Sequence, residues 1–333
     1  MSRESNLRFD NYSGSSIHAM VLIGMFCWCV STTHAQMPPQ GYSSEATILL
    51  AFAAGQIDLV DRDLAVPDTV VVKRAIQYGK VGDVELLLDL YSPRDLDGPV
   101  PGLVFIHGGG WKGGNRKDYQ YYGIRFAEKG YVVASISYRL RDVAKYPAAV
   151  EDAKCAVRWM RHHAQENNVL PDKIAVAGGS AGGHLSMMVG YSSDEPELDG
   201  DGGNDGVSSR VQAVVNLYGP TDLTTPYGRS HQLVTNFIGA SYDDAADVYK
   251  QASPLFHVTA DDPPTLTFHG TLDSLVPVSQ ADRLVEKLKE LKIEAPYERL
   301  EGWPHAMDAA QLVNDYCFDA MLKFFDKHLK TSP

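Results

Sequence analysis

The 333-residue sequence predicts an α/β fold, with a mostly parallel, twisted sheet covered by helices on both faces. Three observations carry that expectation. From residue 70 onward, short runs rich in β-branched residues alternate with stretches of helical periodicity. The first two runs are joined by a Gly-containing turn, as an antiparallel pair would be. The later runs are short and almost wholly apolar, as strands buried on both faces are.

The elements follow in order. Residues 1–35 read as a leader. An apolar run at 19–30 is too short to span a bilayer comfortably, and small residues at Thr33 and Ala35 mark a cleavage site after Ala35. That pattern predicts a signal peptide and a secreted or periplasmic protein. Residues 36–67 form an N-terminal extension or linker, beginning with Pro38-Pro39-Gln40-Gly41 and holding a weakly helical stretch at 45–57. The α/β domain is expected over 68–333.

Within it, residues 70–78 and 84–91 are strands joined by the turn 79–82, and 102–106 is a buried strand. A helix over 119–129 ends at Gly130, followed by a strand at 131–137. Pro147 starts a long helix whose apolar stripe is Val150, Ala153, Val157, Met160 and Ala164. Residues 173–177, 211–217, 265–268 and 295–300 are strands. Helices lie at 181–190, from Ser279 onward with Asp282 completing a capping pattern, and at 308–328. Residues 220–258 break the β-α rhythm and read as a small cap insertion.

Composition narrows the function classes. Apolar residues make up 44% of the chain, which excludes global disorder. A formal net charge of −12 disfavours nucleic acid and anionic membrane surfaces as partners. Of the four cysteines, Cys27 and Cys29 belong to the leader. Cys155 and Cys317 lie in helical patterns and read as buried thiols, though one bridge between them is compatible with an oxidising compartment. No HExxH or CxxC motif occurs, so neither common zinc signature is present. The acidic stretch 199–205 lacks the spacing of a calcium loop and reads as a solvated turn. No metal and no organic cofactor is expected.

Two motifs carry chemistry. Gly178-Gly179-Ser180-Ala181-Gly182 matches G-x-S-x-G, after a strand and before a helix. Glycines there allow a sharp turn that leaves the serine Oγ exposed above the sheet, with the helix N-terminus favouring negative charge. His107-Gly108-Gly109-Gly110-Trp111 follows the strand ending at Ile106. Such glycines let main-chain N–H groups converge on a developing oxyanion, and each donor is worth about 3–4 kcal/mol of barrier. Two of the three glycines are expected to donate, assigned as Gly109 and Gly110 with Gly108 as the alternative, and the Ala181 N–H is the third donor.

A serine nucleophile needs a base, and the base an orienting acid. Asp273 follows the strand 265–268, and His305 follows the strand 295–300. Both fall at strand carboxyl ends, where open α/β sheets bind ligands, and in the order Ser, acid, His. His305 is assigned as base and Asp273 as its orienter. His269 and Asp222 are the rivals, His184 is expected to pack, and Asp308 to cap the last helix. Trp111 and Trp303, with Leu233, Phe237 and Ile238, are candidates to line an acyl pocket, the alternative for such apolar residues being the core.

These motifs, with Ser137-Tyr-Arg-Leu140, residues 146–152, Leu217-Tyr-Gly-Pro-Thr-Asp222 and His269-Gly-Thr-Leu-Asp273, resemble the hormone-sensitive-lipase-like branch of the α/β-hydrolase superfamily, and within it bacterial acetyl xylan/feruloyl esterases. The resemblance spans about residue 68 to the end. It implies the α/β-hydrolase fold and a serine carboxylesterase of acyl-enzyme mechanism, using Ser180, Asp273, His305 and the Gly109, Gly110 and Ala181 hole without metal or cofactor. The implied partner is a small-molecule or polysaccharide-linked ester. Arg141 departs from the Ala-Pro-Glu that many relatives carry, and residues 42–66 have no counterpart. Two alternatives stand beside this reading: a serine exopeptidase or amidase, since the Asp273 loop is also similar to prolyl-oligopeptidase catalytic domains, and a non-catalytic binding module on the same fold.

Overall fold

The computed structural model describes residues 37–330, so the leader expected at 1–35 lies outside the described residues. Eight strands form one sheet: β1 (Val70–Val81), β2 (Val84–Pro93), β3 (Val100–Ile106), β4 (Val132–Ile136), β5 (Val169–Gly179), β6 (Ala213–Leu217), β7 (Thr265–Gly270) and β8 (Tyr297–Leu300). Their order is β1-β2-β4-β3-β5-β6-β7-β8. β2 is antiparallel to both β1 and β4, and every pairing from β4–β3 to β7–β8 is parallel. This is the α/β-hydrolase architecture that the motifs imply.

The sheet buries both faces because its strands alternate between two apolar cores. In β3, Val104 and Ile106 face one core, while Leu103 and Phe105 face the other. The helices are α1 (Glu45–Ala53), α2 (Gln120–Glu128), α3 (Ala148–His162), α4 (Ala181–Tyr191), α5 (Pro226–Ser230), α6 (Gln232–Ile238), α7 (Tyr242–Gln251), α8 (Ser279–Glu290) and α9 (Gln311–Phe325). Residues of α3, α4 and α8 fill the first core, and residues of α2 and α9 the second. Cys155 belongs to the first and Cys317 to the second; both are buried free thiols, and burial pushes both pKa values up. No bridge joins them.

Two local expectations are corrected. Ser279 does not cap α8: the N-cap is Val278 in a helical conformation, and Asp282 Oδ1 instead accepts a hydrogen bond from the Tyr297 hydroxyl. Pro277 has already turned the chain, its carbonyl accepting the Gln280 N–H, so the helix begins without a side-chain cap. The helix expected over 45–57 stops at Ala53, two residues before Gly55 takes a φ of 66°. Its start is well made, because Ser44 and Thr47 form a reciprocal capping box.

The segment that follows α1 does not trail into solvent. The Val60 N–H donates to Ala309 O at 3.0 Å, and Asp58 O accepts the Gln311 N–H at 2.8 Å. Leu59 and Ala310 thereby form an isolated antiparallel bridge. Upstream, the Tyr42 N–H donates to Gly302 O at 2.8 Å.

Candidate active site

The elbow between β5 and α4 is built by two glycines that can be nothing larger. A Cβ on Gly182 would lie 1.8 Å from the Ile106 carbonyl oxygen, and one on Gly178 would meet the Gly182 backbone at 2.4 Å. This close approach sets Ser180 at φ 57°, ψ −122°, a conformation that costs about 1–3 kcal/mol. The Ser180 N–H is tied to Leu217 O at 2.8 Å, which fixes the elbow to the end of β6. The side chain makes no capping bond and stands at the N-terminus of α4, where the helix dipole favours negative charge.

The structure brings the three assigned residues together. Ser180 Oγ lies 2.9 Å from His305 Nε2, and His305 Nδ1 lies 2.7 Å from Asp273 Oδ2. The other Asp273 oxygen, Oδ1, accepts the N–H groups of Leu275 at 3.0 Å and Val276 at 2.8 Å. Burial pushes the Asp273 carboxyl up, but hydrogen bonds from His269 and His305, the His305 charge and the Val276 N–H outweigh it. The net effect holds Asp273 below the ordinary carboxylate range. Asp273 is therefore ionised at neutral pH, as an orienter of imidazole must be.

The two rivals sit elsewhere in the geometry. His269 is fully buried, with Nε2 2.8 Å from Val276 O and 3.2 Å from Asp273 Oδ2. It braces the acid loop from behind and does not face Ser180. Asp222 pairs with Arg283 at 2.6 Å and accepts the Thr224 hydroxyl and N–H, away from His305. His184 packs as expected, its Nε2 held by Ala252 O at 2.8 Å.

Gly109 and Gly110 line the same cavity as Ser180, and both have positive φ, 101° and 60°. Only glycine adopts the first comfortably, and a Cβ there would also strike Gly113 O at 2.4 Å. Among the described residues, the N–H groups of Gly109, Gly110 and Ala181 donate to no backbone carbonyl. His107 steadies the loop from below: Nδ1 donates to Gly108 O at 2.8 Å, and the ring stacks on Tyr138 with centroids 4.3 Å apart. Burial lowers the His107 pKa, so this ring stays neutral.

The predicted acyl wall is corrected. Trp111 is buried against Phe237, the rings stacked at 4.3 Å, and Trp303 is buried with its Nε1–H donating to Pro39 O at 2.9 Å and Tyr42 against its edge. Neither tryptophan lines the cavity, and of the cap residues named only Leu233 does. Phe237 and Ile238 are core. Arg141, the departure from the relatives' pattern, joins cap to body by donating to Leu233 O at 3.2 Å.

The cavity, about 470 Å³, is walled instead by four tyrosines, 119, 121, 122 and 218, with Asp308 and Asn314 behind them. Asp308 does not cap α9. It is buried, and its carboxylate accepts the hydroxyls of Tyr218 and Tyr122. Burial raises its pKa, while the two phenols and the Arg62 charge pull against that rise. Tyr218 also packs edge-on against the His305 imidazole, the ring centroids 4.8 Å apart. Sequence reasoning missed this wall because the tyrosines come from α2 and from the turn after β6, and their convergence is purely tertiary.

Fold and site together define an α/β-hydrolase carrying a Ser-His-Asp hydrogen-bond chain. The family model BD-FAE matches residues 88–288, and the chain belongs to that family. The esterase LipC of Mycobacterium tuberculosis is 33% identical over 72% of this chain, and the probable carboxylic ester hydrolase LipM of the same organism 35% identical over 70%. The chain spans 60% and 56% of the length of these two relatives. Among solved structures, a thermophilic esterase from Thermogutta terrifontis superposes with a TM-score of 0.68 at 29% identity, covering 78% of this chain and 92% of that one. A bifunctional GH43-CE protein of Bacteroides eggerthii gives 0.70 at 26% identity, over 77% of this chain and 38% of that one.

Proposed function

We propose that this chain is an exported serine carboxylesterase that hydrolyses short-chain or aryl carboxylic esters, with acetyl or feruloyl groups on plant polysaccharide as natural substrates. One observation carries the chemistry: the unbroken hydrogen-bond chain from Ser180 Oγ through His305 to Asp273 Oδ2, beside main-chain N–H groups free to receive an oxyanion. In the first half-reaction Ser180 Oγ attacks the acyl carbon and its proton passes to His305 Nε2. The carbonyl oxygen becomes an oxyanion held by the Gly109, Gly110 and Ala181 N–H groups. His305 then gives the proton to the departing alkoxide, leaving an acyl-serine. Water repeats the sequence, losing its proton to His305 and releasing the acid.

The polysaccharide reading is supported by the GH43-CE neighbour and by a cavity rich in phenols. Turnover of p-nitrophenyl acetate that falls by at least about 10³-fold in Ser180→Ala supports the esterase reading. Folded protein with no activity on any ester overturns it. Acetyl xylan and feruloylated arabinoxylan decide the natural acyl group. Export is read from the leader pattern, and a mature N-terminus at Gln36 checks it; protein that retains residues 1–35 contradicts it.

A further inference from the structure

The family match begins at residue 88, so the extension before β1 lies outside it. Yet Val60 and Arg62 of that extension line the same cavity as Ser180 and His305. The segment is anchored on either side of Arg62. Val60 N–H is fixed to Ala309 O at 3.0 Å, and Leu64 O accepts the Gln120 side-chain amide at 3.0 Å. Between these points Asp61 Oδ1 accepts the Asp63 N–H at 2.9 Å, a turn that carries Arg62 at its centre. Arg62 appears in no ion pair among the described residues, although its charge is felt by both Tyr119 and Asp308.

The cavity's polar groups divide unevenly. Asp308 has its carboxylate oxygens taken by Tyr218 and Tyr122, and Asn314 is engaged at both ends of its amide. Asp118 on the rim receives the Asn115 N–H. Asp118 Oδ1 receives no donor among the described residues, and beside it the cavity holds donor capacity. The Tyr121 oxygen already accepts Arg125 Nη1 at 2.7 Å and Gln311 Nε2 at 3.1 Å, so its own O–H is free to donate. The Arg62 guanidinium adds up to five N–H donors in a planar fork suited to a carboxylate.

We propose that residues 58–64 are a specificity element of the esterase site, in which Arg62 binds a carboxylate on the substrate at the end remote from the scissile ester. This rests on the esterase reading above. It gives the extension a function: the chemistry comes from the hydrolase body, and an added wall chooses among esters.

The test compares matched pairs that differ only by a remote carboxylate. One pair places it on the acyl side, mono-4-nitrophenyl glutarate against its methyl ester. The other places it on the alcohol side, 4-acetoxybenzoate against methyl 4-acetoxybenzoate. The expected result is that the acid-to-neutral ratio of kcat/KM falls about tenfold in Arg62→Gln for one of the pairs, mainly through KM, as loss of a charge-assisted hydrogen bond requires. Arg62→Lys restores part of the ratio, since it keeps the charge but not the fork. An unchanged ratio in both pairs overturns this inference alone. Wild-type protein that turns over none of the four esters overturns the esterase reading and this inference with it.

Discussion

At the scale of single residues, the site depends on one carboxylate being kept ionised in a buried place. Asp273 is lifted by burial, yet two imidazoles and two main-chain N–H groups more than offset that lift. The sign of the linkage follows. A carboxyl whose folded pKa lies below its unfolded value stabilises the protein above the unfolded pKa, near 3.8, and loses that contribution as pH falls through the folded value. Unfolding of the parent and of Asp273→Asn, followed from pH 7 down to pH 2, is expected to show a stability gap at neutral pH that closes at the acid end. A gap that stays constant over that range contradicts the assignment. Asp308 has the opposite sign. Its pKa is raised, so ionisation costs stability as pH rises through and above the ordinary carboxylate range. Asp308→Asn should therefore gain on the parent in thermal unfolding between pH 4 and pH 8, and a relative stability independent of pH would contradict this.

At the scale of elements, the strand–turn–helix unit around Ser180 is the most tightly determined part of the molecule. Its glycines are dictated by contact with β3, as the 1.8 Å approach at position 182 shows. Gly182→Ala is expected to destabilise the fold by about 3 kcal/mol or more, because neither α4 nor β3 can yield without losing core contacts. Urea unfolding measures it, and a change below about 0.5 kcal/mol would show that the packing argument is wrong. This unit was readable from sequence because its requirements are local. A pentapeptide with glycines at fixed offsets, an apolar run before it and a helix after it state the geometry within fifteen residues. The same holds for Asp273 and His305, each on a loop directly after a recognisable strand. The α8 cap was misread for a local reason too: Ser279 and Asp282 have the right spacing, but Pro277 turns the chain first.

At the scale of the whole molecule, sequence patterns stop short wherever distant segments meet. Trp111 sits beside the oxyanion loop in sequence, but its ring turns away to stack on Phe237, some 126 positions later. Trp303 is two residues from His305 and instead packs against Tyr42 and Pro39. Periodicity states that such rings are apolar and near the site, without stating which side of a loop they take. The extension is the larger example. Nothing in residues 58–64 announces that they pair with residues 309–311, and only that pairing puts Arg62 into the cavity. The α/β class, the mostly parallel sheet and the three assigned residues at strand ends were legible; the order of the strands, the phenolic wall and the extension's place were not.

The central claim is that Ser180 is the activated nucleophile of this protein. A fluorophosphonate probe, followed by peptide mass mapping, reads it directly. The account predicts a single adduct on the peptide containing Ser180, formed slowly or not at all in His305→Ala. Folded protein that remains unlabelled, or that takes the adduct at another residue, would contradict it.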